Sequence, residues 1–331
     1  MPPLVRQGLM LAVAGASLYL VAPSLIEVFS AAPKLARIRP IWFLPMVVLE
    51  AGSLVCTALL QRLFLGARRF GPVLWSQLGG TAFSRVVPGG GAAGAAFQYS
   101  MLVESGQAGG RAASALAAAN ILTFAMLLAL PVLTLPAILG GLSVSRGLAQ
   151  TAWLGAGGFA VMLAVGAVLF TLDGPLAWVG RTVQRVRNRL LRRREPVLDL
   201  PPRLLRERDL ILHTVGEHWW QALLASVGRW LFDYGVLVTA LAAVGAEPSP
   251  SLVLLAYVGS QVLSQIPLTP GGLGFVEAGL TGLLALAGVG GSDAVLATLA
   301  YRLVSFWLPL PVGGLAVLLH RRSRAPREPV A

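Results

Sequence analysis

The chain is 331 residues long, 56% hydrophobic and only 12% charged, with a net charge of +12 from 26 basic and 14 acidic side chains. A typical globular chain carries about 25% charged residues, so this one cannot cover a soluble surface; with a mean hydropathy of +0.75 it reads as an integral membrane protein. The positive surplus then points to loops facing anionic lipid and the cytoplasm rather than to nucleic acid, and a single cysteine, Cys56, excludes intrachain disulfides and Cys-rich metal sites.

A membrane span needs about 20 mostly apolar residues. Six stretches qualify: Leu9–Phe29, Ile41–Phe64, Ala112–Leu139, Leu148–Thr171, Trp219–Val244 and Ala294–Leu319. The first is longer than a signal-peptide core and a second span follows closely, so it is read as a helix of the mature protein.

Two further apolar stretches are broken. Val73–Ser105 contains Ser84-Arg85-Val86-Val87-Pro88-Gly89-Gly90-Gly91, and Ser251–Val289 contains Pro267-Leu268-Thr269-Pro270-Gly271-Gly272-Leu273-Gly274. Proline removes a backbone donor and glycine weakens a helix. Irregular backbone at membrane depth survives only inside protein or beside a wet cavity. Each stretch is therefore expected to form a re-entrant hairpin: half-helix, Pro-Gly-Gly tip, half-helix. Two tilted spans joined by a tight loop, giving up to eight membrane helices, is the alternative.

The segment 174–217 holds ten arginines, among them Arg181, Arg185, Arg187, Arg189 and Arg192-Arg193-Arg194. The tail at 320–331 adds Arg321, Arg322, Arg324 and Arg327, Arg68 and Arg69 follow the second span, and Arg6 precedes the first. With six spans and returning hairpins these groups share one face, so the positive-inside rule puts it and both termini in the cytoplasm. Lys34, Arg37 and Arg39 fall on the other side. No aromatic residue interleaves the arginines between Thr182 and Leu212, as nucleic-acid binding would want.

The chain also repeats itself. Sliding it against itself until Pro88 meets Pro270 lays Gly89 and Gly90 on Gly271 and Gly272, then Gly106 on Gly288, Gly109 on Gly291 and Phe124 on Phe306. From Pro88 to Leu133, 13 of 46 positions are identical, where about four or five are expected by chance in so biased a composition. One repeat runs over 9–140 and the other over 148–319, within a single membrane domain. Three spans lie between the hairpins, so the halves are expected to be inverted, as in secondary transporters whose broken helices meet at the substrate site.

Ionisable groups within spans are expensive and mark sites. Arg85 precedes the first tip, Glu277 follows the second, and Arg302 lies in the last span, aligned by the repeat with Asn120. Glu50 is in the second span. Arg229 and Asp233 are four apart and fit a pair on one helix face, structural or functional. Gln77, Gln98, Gln261 and Gln265 add polar groups along the hairpins. Arg85 and Arg302 suit a phosphate-like anion, and the half-helices after Pro88-Gly89-Gly90 and Pro270-Gly271-Gly272 point positive ends at it. Tyr99, Trp219, Trp220 and Trp307 read as interface anchors or packing, and His213 and His218 lack metal-ligand spacing. No nucleotide loop, hydrolase elbow or zinc-protease motif is present, so no cofactor, metal or enzymatic activity is expected.

The run Ile266-Pro267-Leu268-Thr269-Pro270-Gly271-Gly272-Leu273-Gly274-Phe275-Val276-Glu277-Ala278-Gly279, with Gly288-Val289 and Ala300-Tyr301-Arg302-Leu303 after it, resembles the lysylphosphatidylglycerol synthase transmembrane-region family. Arg85-Val86-Val87-Pro88-Gly89-Gly90 resembles that family's earlier motif. That family includes the flippase half of bacterial multiple peptide resistance factors, which moves aminoacylated phosphatidylglycerol to the outer leaflet. The resemblance implies headgroup-contacting or gating roles for Arg85, Glu277 and Arg302. The bifunctional members continue into a soluble aminoacyl-transferase domain, whereas this chain reaches Ala331 after a short Arg-Pro tail and is expected not to make lysyl-lipid itself.

The expectation is a translocator of a lipid or lipid-linked headgroup in the plasma membrane, touching an anionic lipid surface and working with a separate lipid-modifying enzyme. The alternatives are an ion-coupled transporter of a small polar solute and a non-transporting membrane scaffold for such an enzyme.

Overall fold

A computed structural model describes residues 38–87, 90–134, 146–190, 198–266 and 270–322. Among them every regular element is helical. A 3-10 turn at Pro40–Trp42 leads into α1 (Phe43–Leu65); α2 (Phe70–Val86) and α3 (Gly90–Glu104) flank the first tip; α4 (Gly109–Ala129) runs on as a 3-10 turn to Thr134. Next come α5 (Arg146–Thr171), α6 (Asp173–Leu190) and the long α7 (Leu200–Ala243). Then α8 (Pro250–Ser264) and α9 (Phe275–Leu286) flank the second tip, and α10 (Gly291–Arg302) passes through a π turn at Leu303–Trp307 into α11 (Pro309–Arg322).

Five stretches are long and apolar enough to span: Pro40–Leu65, Gly109–Thr134, Gly147–Leu169, Gly216–Ala243 and Gly291–His320. They coincide with five of the six expected spans, and the chain is a polytopic all-helical membrane protein. The remaining expected span, Leu9–Phe29, lies outside the described residues, as do Pro88, Gly89, Lys34, Arg37, Arg192-Arg193-Arg194 and most of the tail. The hairpin helices are short. At 15, 15 and 12 residues, α3, α8 and α9 fall below the roughly 17 needed to cross hydrocarbon.

The repeat reappears in the backbone hydrogen bonds. Gly106 and Gly288 end α3 and α9 at φ +89 and +91, a left-handed conformation that glycine adopts without steric cost. The amide of Gly106 donates to Val103 and that of Gln107 to Leu102; the amide of Gly288 donates to Ala285 and that of Val289 to Leu284. Both ends are thus the same Schellman cap, placed in the register that lays Pro88 on Pro270. The next helices start alike, Ala112 donating to Ala108 and Ala294 to Gly290.

Each hairpin has its own core. Around the first, Leu60, Phe64, Val73 and Leu102 pack on an alanine face of α4 formed by Ala112, Ala115, Ala118 and Ala119. Around the second, Leu255, Tyr257, Val258, Leu280 and Leu284 pack on Leu237, Ala297 and Ala300. Helix α1 lies along α7, and α11 lies along α2, so the last helix of the second half closes on the first hairpin.

The basic segment between the spans is helical where it is described. Its described part is α6 and the start of α7, which pack together. Arg181, Arg185 and Arg189 recur every fourth residue, so they form one charged face. Trp178, Val183 and Val186 stay exposed. Hydrogen bonds from Arg208 to Asp209 and Asp173 hold its pKa above the ordinary arginine value, and the Leu200 amide donates to Gln184.

Candidate functional site

The second tip is a single turn, Pro270–Gly272, in which Gly271 has φ +61. A Cβ there would lie 2.4 Å from Cε2 of Phe306, so no other residue fits so close to that ring. The Gly271 carbonyl accepts a hydrogen bond from Nη2 of Arg302 at 3.1 Å. Nε of Arg302 donates to Glu277 Oε1 at 2.6 Å, a short charge-assisted contact. Arg302 is only 8% exposed and its guanidinium stands 4.3 Å from the Phe306 ring centre. Glu277 is in the first turn of α9, where the helix dipole favours an anion. The expected acid–arginine partnership is therefore present, and it locks the tip to α10. The other carboxylate oxygen, Glu277 Oε2, is buried without a hydrogen-bond partner among the described residues.

Arg85 crosses to the same place from the other half. It donates Nη1 to the carbonyl of Phe306 and Nη2 to that of Ser305, at 2.5 and 2.7 Å. These carbonyls are available for a reason written in the chain. Pro309 has no N–H to give Ser305 four residues back, and Pro311 none for Phe306 in the i→i−5 register of the π turn. Arg85 supplies the missing donors, with its guanidinium 5.1 Å from the Phe306 ring centre. Two arginines drawn from opposite halves of the chain thus meet the same phenylalanine ring. Among the described residues no carboxylate lies within ion-pair distance of Arg85.

The first half has a matching but neutral latch. Ser305 aligns with Thr123, and the Thr123 carbonyl accepts a hydrogen bond from Trp230 Nε1 at 2.7 Å. In both halves, then, the equivalent carbonyl is held by a side chain of the other half.

Beside the arginines is a second buried polar group. Oδ2 of Asp233 accepts from Tyr257 Oη, Gln261 Nε2 and Tyr301 Oη at 2.5, 2.6 and 2.9 Å. The expected Arg229–Asp233 ion pair is not made. The oxygen of Asp233 is filled by those three donors, while Arg229 donates to Ser53 at 3.1 Å and lies over the Trp230 ring. Glu50 is only 4% exposed, and its Oε2 is buried with no hydrogen-bond partner among the described residues.

Other expected site residues lie apart. Gln98 is buried and bonds Gln61 at 2.7 Å, tying α3 to α1. Asn120 is exposed; the first half carries Ala95 where the second has Glu277, so no acid calls for an arginine there. Gln265 is exposed and donates to the Gln261 carbonyl and to Ser264 Oγ. Gly90 opens α3 at φ +49. The Trp219 and Trp220 rings stack and are exposed, as interface anchors are. No cluster of three or more His, Cys, Asp or Glu side chains fit to hold a metal occurs among the described residues. Sequence reasoning missed Ser305 and Phe306 as partners of Arg85; the signal available was Pro309 and Pro311 downstream of them.

From Ala278 and Gly279, next to Glu277, an apolar crevice of about 480 Å³ runs to Leu286, walled on the far side by Leu128 and Leu154. Leu154 is 77% exposed and Ala278 and Gly282 are open to the outside, so the crevice faces the surroundings of the bundle.

Segments of this chain are similar to two archaeal proteins described as UPF0104 membrane proteins. One, from Methanothermobacter thermautotrophicus, is 32% identical over 98 residues, 30% of this chain and 28% of the relative. The other, from Pyrococcus horikoshii, is 39% identical over 70 residues, 21% of each chain. The matched segments span less than a third of these relatives. No solved structure matches. The model of the lysylphosphatidylglycerol synthase transmembrane region matches residues 9–313. With both Pro-Gly-Gly hairpins and the Glu277–Arg302 contact inside those bounds, the chain belongs to that family.

Proposed function

We propose that this protein translocates a lipid or lipid-linked molecule with an anionic headgroup across the plasma membrane, in the manner of a flippase and without altering the lipid covalently. The observation that carries the reading is the convergence of both hairpins on one π turn through Arg85 and Arg302. Two guanidinium groups around one ring form a cationic centre at the junction of the two halves. Arg85, with carbonyls rather than a carboxylate as its partners, is the one free to exchange them for phosphate oxygens. The crevice beside Glu277 favours a lipid over a small polar solute, because it is apolar and opens outward, where an acyl chain would lie. Rocking of two inverted halves about the tips would expose the centre to either leaflet.

In this reading both termini and the α6 face are cytoplasmic. The arginines of α6 hold it against anionic lipid, where a separate lipid-modifying enzyme would deliver substrate. Reconstitution into liposomes with fluorescent phosphatidylglycerol tests the proposal. Wild-type protein should move the lipid between leaflets and Arg302→Ala should abolish that movement; movement unchanged by the substitution would overturn the site.

A further inference from the structure

When Arg85 trades its two carbonyls for phosphate oxygens, as the proposed function requires, those carbonyls need new donors. They belong to Ser305 and Phe306, residues 7% and 4% exposed, and a backbone acceptor buried that deeply is costly to leave unpaired. The helix has little to offer them. Pro309 and Pro311 have no N–H, so of positions 309–311 only Leu310 has an amide hydrogen to reach back with, and it serves one carbonyl at a time. Arg85 supplies the rest, at 2.5 and 2.7 Å.

The place is within reach of whatever Arg85 holds. A Cβ on Gly271 would stand 2.4 Å from the Phe306 ring and 3.3 Å from the Arg85 carbonyl oxygen, so both tips close on this one residue. One contact further on, Glu277 bonds Arg302 and keeps Oε2 buried with no hydrogen-bond partner among the described residues. Once Arg85 has gone over to a ligand, the junction therefore has acceptors to fill: the two carbonyls and this carboxylate oxygen. Charge decides which donor fits. Arg85, Arg302 and Glu277 together carry one positive charge, which one phosphodiester neutralises. A hydroxyl then donates without disturbing that balance, whereas an ammonium restores a buried positive charge next to two guanidinium groups.

We infer that the carbonyls of Ser305 and Phe306 are a selective subsite, which takes O–H donors from the ligand once Arg85 holds its phosphate. The inference rests on the function proposed above and narrows its substrate to a phosphodiester lipid whose headgroup carries neutral hydroxyls, a polyol or a sugar. A lipid of equal charge without hydroxyls leaves buried carbonyls unpaired and binds about tenfold or more weakly. Pro309 and Pro311 set that selectivity without touching the ligand, by withholding the amides that would otherwise occupy the carbonyls.

The test is calorimetric titration of purified full-length protein in detergent with short-chain phosphatidylglycerol and with short-chain phosphatidylmethanol, which has the same charge and no hydroxyl. Wild type should bind the first about tenfold more tightly. Pro309→Ala combined with Pro311→Ala gives both carbonyls amide donors and should bind the two lipids alike, its folded state checked by thermal unfolding. Equal affinities in wild type, or the reverse preference, overturn the inference and leave the proposed function standing, as does a preference that survives undiminished in the folded double variant. Glycerophosphoglycerol, the same headgroup without acyl chains, separates a lipid from a soluble ligand: binding as tight as the lipid's keeps the subsite and overturns the lipid reading. Binding of none of the three overturns both.

Discussion

The two hairpins share a fold and differ in charge. They end in the same glycine cap and start the next helix in the same way, yet the second carries Glu277 and Arg302 where the first has Ala95 and Asn120. Conversely the first carries Arg85 where the second has Pro267. The second tip is therefore closed by its own acid–base contact, while the arginine of the first finds its acceptors in the other half, on carbonyls that Pro309 and Pro311 leave without donors. Duplication supplied the frame, and divergence of a few polar positions turned two equivalent tips into a lock and a reaching arm.

Removing the lock is expected to cost most. Arg302→Ala leaves Glu277 uncompensated and should destabilise the protein by about 3–5 kcal/mol, as measured by thermal unfolding in detergent. Arg302→Ala combined with Glu277→Ala should cost less than the sum of the single changes, the excess giving their coupling; strict additivity would show the contact to be without consequence. Next is Gly271→Ala. It places a methyl against Phe306 in a left-handed conformation and should lose about 2–4 kcal/mol. Gly91→Ala, in open space on α3, should gain about 0.5–1 kcal/mol.

The reaching arm should respond differently. Arg85→Lys keeps the charge but not the two-carbonyl fork. Lipid movement in liposomes should fall about tenfold, with a stability change of about 1 kcal/mol from the lost hydrogen bond. Equal losses of stability for Arg85→Lys and Arg302→Ala would erase the distinction between the hairpins. The smallest effect belongs to the unused counterpart: Asn120→Ala is exposed and should stay within about 0.5 kcal/mol of wild type, with transport unchanged.

Much of this is legible in the sequence where local chemistry decides. Span lengths, the breaks at the two Pro-Gly-Gly runs and the repeat follow from hydropathy, missing N–H groups and spacing, and five of the six spans stand within a few positions of their expected ends, the sixth lying outside the described residues. Glu277 and Arg302 also stand out, since ionisable residues in apolar stretches need partners. The helical state of the basic segment is harder to see, because its charge count outweighs the four-residue spacing of Arg181, Arg185 and Arg189.

The amino-acid sequence thus determined by itself a polytopic helical membrane protein with two broken hairpins and a handful of charges inside it. That the chain reads as membrane-bound from 12% charge follows from composition alone. Only the tertiary structure decided which charges meet. Asp233 went to two tyrosines and a glutamine instead of to Arg229, and Arg85 went to two carbonyls in the far half of the chain. The reason is physical: in a low-dielectric interior each polar group takes whichever partner the packing of several helices brings within reach, and sequence spacing constrains only partners on the same helix.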